Sequence, residues 1–331
     1  MVDSGSPADT VAAASEREAL KRIFPRLPES AATLVGPGDD AAVLAAPDGR
    51  YVVTTDMMVH GPDFRLAWSS PEDLGWKAGA TNLSDVAAMG AVPTALVVAI
   101  AAPQSFPVSS LEALADGLRA ACAALAPGCG VVGGDLSVSD TLTIAVTAFG
   151  DLEGRAPVLR SGARPGDVVA VSGRLGAAAA GLGLLFAEAV DADGTPDPDA
   201  FARVLTAHPE LIDAQLRPRP PVADGPLAAD AGATAMLDLS DGLALDARRV
   251  AEASGVAIDI DPGALGDHPV TALTGGEDHG LLACFPSGTV LPGGFRPVGV
   301  VREGAGLLVG GHLFDERGGW DPYLEWDGAA G

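Results

Sequence analysis

The spacing of apolar residues in the first half of the chain predicts alternating helices and strands. Ser70 followed by Pro71 and two acids is typical of a helix start, and we expect that helix to run to about Met89, where Gly90 can end it. Leucine and alanine recur every three or four residues over 111–125, which predicts a second helix. An amphipathic helix is expected to end near Phe24. Alternating or β-branched runs predict strands at residues 41–44, 51–55, 94–100, 131–132 and 141–149.

The second half repeats this pattern after a connector of charged, proline and glycine residues over 150–166. Strands are predicted at residues 168–171, 236–239, 256–260, 281–285 and 298–301, helices at 176–189 and 243–254, and an acidic loop at 191–199. A length of 331 residues exceeds what one hydrophobic core usually organises. We therefore predict a mixed α/β protein of two domains, residues 1–150 and 151–331.

Charge changes this picture most. The chain has 20 basic and 44 acidic side chains, a formal net charge of −24. Binding of nucleic acid through phosphate neutralisation is excluded, because no basic patch exists to release counterions. Most of these carboxylates are expected to be solvated surface groups. The useful question is whether some of them lie where they hold metal ions.

Cysteine usage and apolar stretches bear on the compartment. Cys122, Cys129 and Cys284 form neither a metal-ligand spacing nor an even-numbered disulfide framework. Residues 1–15 lack the apolar core of a secretory signal, and no apolar stretch is long enough and unbroken enough to span a bilayer. These patterns predict a cytoplasmic protein without membrane association.

Aspartates recur at predicted strand ends and just before or within predicted helices. The series is Asp39, Asp40, Asp56, Asp85, Asp135, Asp238 and Asp241. An isolated aspartate at a strand end is more often a helix cap or a turn former than a ligand. Asp85 differs, because it lies within an alanine-rich helix, where a carboxylate facing the core is costly unless it is paired or metal-bound.

The familiar lysine-based phosphate sites are missing. The sequence contains neither Gly-x-x-x-x-Gly-Lys-Ser/Thr nor Gly-x-Gly-x-x-Gly after a strand, and its two lysines, Lys21 and Lys77, follow no glycine-rich turn. Carboxylates repel phosphates, so a nucleotide site lined by aspartates needs divalent cations between the two. Magnesium suits that position, because it binds carboxylates, water and substrate phosphates together.

In their order along nearly the whole chain, eight segments resemble thiamine-monophosphate kinase, of the superfamily that includes aminoimidazole ribonucleotide synthetase and selenophosphate synthetase. The Ser-Asp-Gly segment at 240–242 and the Gly-Gly-Glu-Asp segment at 275–278 point to this family specifically. The segments are residues 38–43, 54–56, 82–91, 133–135, 160–167, 238–242, 275–278 and 319–321.

The resemblance implies a set of site residues and an in-line transfer of the γ-phosphoryl group of ATP to the phosphate of thiamine monophosphate, which gives thiamine diphosphate and ADP. The implied magnesium ligands are Asp40, Thr54, Thr55, Asp56, Asp85, Asp135, Asp238 and Asp241. The implied nucleotide contacts are Gly134, Asp135, Arg160 and Ser240. The implied substrate contacts are Asp63, Glu277 and Trp320, and the implied catalytic residues are Asp241 and Arg160.

The resemblance also implies a synthetase-like fold in which two α/β domains enclose the active site. The N-terminal domains of two chains would pair through their sheets into a homodimer. The sequence departs from the family at Asp63-Phe64, where relatives commonly have His-Phe and where His60 lies three residues earlier, and at His279, which replaces an aromatic residue. Two alternatives stay open: another ATP-dependent synthetase of the superfamily, and a non-catalytic protein that binds nucleotide or thiamine phosphates.

Overall fold

The first half of the chain forms a four-stranded sheet covered by two long helices. The computed structural model describes residues 16–35, 43–191, 194–316 and 318–319, together with residues 10 and 13. The helices of this half are α1 (Glu16–Ile23), α2 (Pro71–Ala88) and α3 (Val108–Leu125). The strands are β1 (Thr33–Val35), β2 (Val43–Leu44), β3 (Val52–Val59), β4 (Val92–Ala102), β5 (Gly130–Val138) and β6 (Thr143–Asp151).

The second half forms a seven-stranded sheet with shorter helices. Its strands are β7 (Val168–Ser172), β8 (Ala235–Leu239), β9 (Ala257–Ile260), β10 (Gly280–Phe285), β11 (Arg296–Arg302), β12 (Gly306–Val309) and β13 (His312–Leu313). Its helices are α4 (Ala177–Glu188), α5 (Pro198–Ala207), α6 (Pro209–Leu216), α7 (Asp224–Asp230), α8 (Leu243–Ser254) and α9 (Pro269–Thr274).

The N-terminal sheet has the order β3-β6-β4-β5, in which only the β4–β5 pair is parallel. Helices α2 and α3 pack on one face and bury a core with Leu83, Leu114 and Val146. The two helices approach closely at glycine: a Cβ on Gly75 would lie 2.0 Å from the carbonyl oxygen of Leu114. This contact leaves no room for a side chain and sets the position of α2, which carries much of the site described below.

The C-terminal sheet has the order β13-β12-β9-β11-β7-β10-β8, and only β9 and β12 pair in parallel. Strand β8 lies at its edge and runs into α8 through residues 240–242. Helix α2 bridges the two halves at this edge. Trp76 Nε1 donates to the carbonyl oxygen of Pro218 at 2.8 Å, and Ser84 Oγ donates to Asp238 Oδ2 at 3.1 Å. The end of β8 therefore lies against the N-terminal half of the chain.

Most of the predicted elements are confirmed, and the mixed α/β class with them. Ser70 caps α2 in a capping box with Asp73, and α8 has the predicted bounds. Three predictions were wrong. Asp56 and Asp135 lie within β3 and β5, both longer than predicted, rather than at strand ends. The predicted loop 191–199 ends early, because Asp197 caps α5 through the main-chain nitrogens of Asp199 and Ala200.

The division into residues 1–150 and 151–331 stays a prediction, although the strands of the two larger sheets separate between Asp151 and Val168. Among the described helices, none is both long enough and apolar enough to cross a membrane.

Candidate active site

Strand β3 and helix α2 bring two carboxylates together. Alternate residues of a strand face opposite sides, so Thr54 and Asp56 face α2. Thr54 Oγ1 donates to Asp85 Oδ2 at 2.9 Å, and the main-chain nitrogen of Asp56 donates to Asn82 Oδ1 at 3.2 Å. The side chain of Asp85 therefore points from the helix toward β3, where it meets the carboxyl group of Asp56.

A third carboxylate arrives from the C-terminal sheet. Asp238 lies near the end of β8 and is buried. Its carboxylate accepts from Ser84, lies 3.4 Å from His279 Nδ1, and is hydrogen-bonded to Asp85. We call Asp56, Asp85 and Asp238 the carboxylate cluster; it joins both sheets through α2.

Burial and mutual repulsion determine how the carboxylate cluster titrates. Burial, followed by the charges of Asp238 and Asp56, raises the pKa of Asp85 to about 8. Burial also raises the pKa of Asp56; the charge of Asp238 adds to this effect, and His279 opposes it. Burial acts in the same direction on Asp238, but the hydrogen bond and the positive charge of His279 outweigh it and lower the pKa of Asp238. The cluster therefore concentrates negative charge that a cation would neutralise.

The cluster oxygens have the chemistry of a magnesium site but not its geometry. Within the ranges that the structure describes, no group of three or more His, Cys, Asp or Glu side chains is arranged so that it could hold a metal ion. The carboxyl groups bond instead to each other and to the hydroxyls of Thr54 and Ser84. Carboxylate and hydroxyl oxygens suit Mg²⁺, so the donor set fits if these side chains rotate apart.

The turn between β8 and α8 places Asp241 beside the cluster. Arg249 bridges two carboxylates, with 2.6 Å to Asp241 Oδ2 and 2.6 Å to Asp246 Oδ1. Asp246 is fully buried and accepts from the main-chain nitrogens of Asp241 and Gly242, each at 3.2 Å. Burial raises the pKa of Asp246 to about 7, although Arg249 opposes the shift. Asp246 and Arg249 thus fix the turn that carries Asp241.

Residues 275–279 form a strained loop along the same turn. Glu277 and His279 have φ angles of +72° and +51°, a left-handed conformation that costs free energy for residues other than glycine. The main-chain nitrogen of Glu277 donates to the carbonyl oxygen of Ser240 at 2.8 Å, and that of His279 donates to Leu239 at 3.1 Å. These bonds hold the side chain of His279 against the carboxylate cluster and direct that of Glu277 into a neighbouring cavity.

This cavity, of about 540 Å³, is lined by residues of α2 and of the loop 275–279, the two segments that also contact the cluster, and we call it the aromatic pocket. Its apolar end contains Trp68 and Phe186, whose rings meet edge to face with centroids 5.1 Å apart. The guanidinium of Arg65 lies over both rings, 5.2 Å from the centroid of Trp68 and 4.7 Å from that of Phe186. The charged side chains that line the pocket are Asp63, Arg65, Lys77 and Glu277.

Two of the predicted substrate residues meet in this pocket. Asp63 lines it and accepts from the main-chain nitrogen of Val59 at 2.7 Å, and burial raises the pKa of Asp63. Glu277 lines it too and pairs with Lys77. The third, Trp320, lies outside the described residues, although Gly319 beside it lines the pocket.

Several predicted ligands do not join the cluster through their side chains. Thr55 faces the side of the sheet away from α2, where its hydroxyl donates to the carbonyl oxygen of Val146 at 3.0 Å. Asp135 is exposed and lies in the same row across the sheet as Met57, which faces the same side as Thr55, so Asp135 also lies on that side. Gly134 has no side chain to contribute. Asp40 lies outside the described residues. Of the predicted metal set, the cluster thus contains Asp56, Asp85 and Asp238, with Thr54 bonded to Asp85 and Asp241 next to it.

Arg160 lies apart from the cluster. Its side chain is exposed, and its carbonyl oxygen accepts from Ser254 Oγ at 3.2 Å, near the end of α8. The preceding residue, Leu159, bonds Met236 near the start of β8, whereas the cluster lies at the other end of that strand. Ser240, in contrast, lies in the turn at the cluster end.

Sequence reasoning missed Lys77, Asp246, Arg249, Trp68 and Phe186. The sequence did contain a signal for two of these residues, Lys77 and Asp246. Lys77 lies in the same small-residue helix as Asp85, where a second charge also needs a partner. Asp246 lies in the first turn of α8, where an acid can accept from free main-chain nitrogens.

The chain is similar to known proteins over most of its length. Residues 38–152 match the family model described as AIR synthase related protein, N-terminal domain. The chain is 44% identical over 315 residues to the thiamine-monophosphate kinase of Mycobacterium tuberculosis (strain CDC 1551 / Oshkosh), covering 90% of this chain and 89% of that protein. It is 37% identical over 278 residues to that of Bacillus subtilis (strain 168), covering 80% and 82%.

Solved structures show the same similarity. The thiamine-monophosphate kinase from Stenotrophomonas maltophilia K279a superposes with a TM-score of 0.76 at 32% identity, covering 89% of this chain and 97% of that one. A structure described as AaThiL complexed with AMPPCP and TMP gives a TM-score of 0.71 at 34% identity, covering 85% and 90%. By sequence and by fold, this chain belongs to the thiamine-monophosphate kinase family.

Proposed function

We propose that this chain transfers the γ-phosphoryl group of ATP to the phosphate of thiamine monophosphate, giving thiamine diphosphate and ADP. The observation that carries the proposal is the adjacency of the carboxylate cluster and the aromatic pocket, which share helix α2 and the loop 275–279. A relative of the same fold is described with AMPPCP and TMP bound. A phosphate donor at the cluster and a thiamine acceptor in the pocket would meet at this boundary.

The aromatic pocket suits the thiamine part of the acceptor. Thiamine has two flat heteroaromatic rings, one of which is a cation. Trp68 and Phe186 offer apolar ring surface, and Asp63 and Glu277 offer negative charge. Burial raises the pKa of Glu277, but the charges of Lys77 and His279 outweigh it, so that this pKa is lowered and the carboxylate stays ionised. Trp320, next to the pocket-lining Gly319, is proposed as a further ring contact on its motif position.

Magnesium is proposed as the cation that binds at the carboxylate cluster. Thr54, Asp56, Asp85 and Asp238 would hold it, with Asp241 and the motif positions Asp40, Thr55 and Asp135 as the further proposed ligands. Thr55 would have to contribute its main-chain carbonyl, because its hydroxyl faces away from the cluster. When bound, the metal supplies the positive charge that offsets the charge of the transferring phosphoryl group.

The chain's own residues position the reactants rather than move protons. The acceptor phosphate is already ionised near neutral pH, so no strong general base is needed, and alignment of donor and acceptor contributes most. Arg249 and Asp246 hold Asp241 in place at the turn after β8. The apolar walls of the pocket, including Leu182 and Leu185, keep water from competing for the phosphoryl group.

Nucleotide contacts are proposed at Gly134, Asp135, Arg160 and Ser240. Ser240 has the strongest support, because it lies in the turn beside the cluster. Arg160 is proposed as a catalytic residue that offsets nucleotide charge with a planar set of donors suited to phosphate. It would have to reach the cluster from an exposed position near the start of β8. Nucleotide affinities of the variants Arg160→Met and Ser240→Ala separate the two assignments. Each variant should bind nucleotide more weakly than the wild type only if the residue it changes contacts the nucleotide.

We also propose a homodimer that pairs the N-terminal sheets. The sheet face away from α2 exposes Val53 (59%) and Met57 (61%), large apolar side chains that a second sheet would cover. Met57→Asp should convert the dimer to a monomer in sedimentation experiments, and an unchanged dimer would place the interface elsewhere.

We propose a cytoplasmic location. Cys122, Cys129 and Cys284 are buried as free thiols, which agrees with a reducing cytoplasm.

A product assay tests the proposed activity. Incubation with ATP, MgCl₂ and thiamine monophosphate should give thiamine diphosphate and ADP in equal amounts by chromatography. Unphosphorylated thiamine should give no product, because it lacks the acceptor phosphate. ADP formation with an aminoimidazole precursor, and none with thiamine monophosphate, would replace this proposal with a synthetase activity.

A further inference from the structure

Lys77 is a buried cation in the wall of the aromatic pocket. It is 6% exposed and lies in the middle of α2, one of two lysines in the chain. Its ammonium pairs with Glu277 and, with the amide of Gln215 oriented to satisfy both of its ends, donates to Gln215 at 3.2 Å. That amide in turn donates to the carbonyl oxygen of Ala178 at 2.9 Å. A buried ammonium held by residues from two separate segments, one of which is itself bonded to Ala178, has a fixed position.

The ammonium keeps one donor for a ligand. An ammonium has three N–H groups, and Glu277 and Gln215 accept two of them. Within the part of the chain that the structure describes, no third acceptor for Lys77 lies within hydrogen-bond distance. Because Lys77 lines the cavity, the remaining donor is available to a molecule bound there.

Helix geometry relates this ammonium to the carboxylate cluster. Lys77 and Ser84 are seven residues apart on α2, which puts them on the same face about 10 Å apart along the axis. Ser84 bonds Asp238 of the cluster. An acceptor whose rings lie against Trp68 and Phe186 must extend its phosphate toward that cluster, and Lys77 is the cation on α2 between the two ends.

The other cation of the pocket has a different place. The guanidinium of Arg65 lies over the rings of Trp68 and Phe186, at the apolar end. There it covers aromatic surface rather than facing the cluster. Lys77 therefore has the position that the acceptor phosphate needs, and Arg65 does not.

From this geometry we infer that Lys77 binds the acceptor phosphate of thiamine monophosphate through its third N–H group, while Glu277 and Gln215 hold the ammonium in place. The inference rests on the proposed function and adds a phosphate-specific contact to it. It gives the pocket a means of distinguishing a phosphorylated from an unphosphorylated thiamine, because only the former offers an anion to the ammonium.

Equilibrium binding tests this contact without turnover. Affinities for thiamine monophosphate and for thiamine are measured by calorimetry for the wild type and Lys77→Met, with Lys21→Met as the matched control, since Lys21 is the other lysine and is exposed. Lys77→Met should weaken binding of thiamine monophosphate by about tenfold or more and binding of thiamine by about threefold at most, as expected for loss of a charge-assisted hydrogen bond. Lys21→Met should change neither affinity.

Three other outcomes would overturn the inference. Equal weakening of both ligands would mean that Lys77 acts through Glu277 or packing. Loss of the preference for the phosphorylated ligand in Arg65→Met, with the preference kept in Lys77→Met, would place the phosphate at the aromatic end. A wild type that binds ATP but not thiamine monophosphate would remove the proposed function itself.

The double variant Lys77→Met/Glu277→Gln covers the case in which Lys77→Met does not fold, because it removes both charges of the pair. Its ratio of affinities for the two ligands should fall as in the single variant. A ratio equal to that of the wild type would show that the ammonium does not contact the phosphate.

Discussion

The carboxylate cluster and the aromatic pocket are the two ends of the candidate active site, and they differ in how buried charge is balanced. At the carboxylate cluster, like charges converge, and the pKa of Asp85 rises to about 8. In the aromatic pocket, charges of opposite sign are paired: Glu277 bonds Lys77, and the pKa of Glu277 is lowered although burial opposes the shift. The first end needs a cation from outside the chain, whereas the second is already neutralised.

This difference indicates which ligand each end can take. A site with excess negative charge binds polyphosphate only together with divalent cations. A neutralised, partly aromatic pocket can take a molecule that itself carries both signs of charge, as thiamine monophosphate does with its cationic ring and its phosphate. Under the proposed function, the donor site takes up divalent cations, whereas the acceptor site needs none.

The largest effect is expected at the acidic end. Asp85→Asn should lower kcat by about a thousandfold or more, because it removes a proposed metal ligand from the donor site, while the fold stays intact. Steady-state kinetics and circular dichroism measure the two. Asp140→Asn, which changes an exposed acid, is the control. Turnover that survives Asp85→Asn would show that this carboxylate is not a metal ligand.

A smaller effect is expected in the pocket. Trp68→Leu should raise the KM for thiamine monophosphate by about tenfold, because it removes ring stacking but keeps an apolar side chain. The KM for ATP should stay constant, since Trp68 lies at the end away from the cluster. Phe24→Leu, an exposed aromatic outside the pocket, is the control. Equal changes in both KM values would contradict the separation into two ends.

A change in the turn after β8, which carries Asp241 beside the carboxylate cluster, should affect turnover but not the aromatic pocket. Arg249→Met removes the bridge between Asp241 and Asp246 and should lower kcat by about tenfold, with the KM for thiamine monophosphate unchanged, as expected for lost positioning. The neighbouring Arg248→Met, whose guanidinium instead bonds the carbonyl oxygens of Phe314 and Glu316, should keep full kcat. Similar losses in both variants would indicate a general effect on α8.

The smallest effect concerns pH and stability. The pKa of Asp85 is raised on folding, from an ordinary 3.8 to about 8, so the folded state holds this proton more tightly than the unfolded state. The protonated carboxyl group of Asp85 therefore contributes stability that is fully present below about pH 4 and is lost as the pH rises toward 8.

Without metal, the free energy of unfolding of Asp85→Asn relative to the wild type should therefore grow between pH 5 and pH 8, by at most about 1.4 kcal/mol per pH unit. Urea titrations in EDTA measure this difference. Added Mg²⁺ should reduce it, and a difference independent of pH would contradict the raised pKa.

Local patterns were enough to predict most of the fold and part of the site. The Ser70 cap and the spacing in α8 depend on neighbours within a few residues, so these elements were predictable. Asp85 could be predicted because a carboxylate in an alanine-rich helix requires a partner. The short helices α5, α6, α7 and α9, of 6 to 10 residues each, were missed because they are too short for a clear period.

The rest of the site depends on contacts between distant segments. Lys77 meets Glu277, and Trp68 meets Phe186, across more than a hundred residues of sequence. Nothing near either residue specifies its partner. The face on which Asp135 lies depends on the register of β5 against β4, and a shift by one residue would reverse it. The order of the motifs identified candidate site residues, but only the fold shows which of them contact each other.

Label transfer from [γ-³²P]ATP tests the central claim, that the acidic end and the pocket form one phosphoryl-transfer site, most directly. With MgCl₂ and thiamine monophosphate, the wild type should place the label in the terminal phosphate of thiamine diphosphate, with almost none in inorganic phosphate. Asp85→Asn should abolish the transfer, and Trp68→Leu should slow it only at low acceptor concentration. Label released as inorganic phosphate at the same rate with and without thiamine monophosphate would contradict the claim.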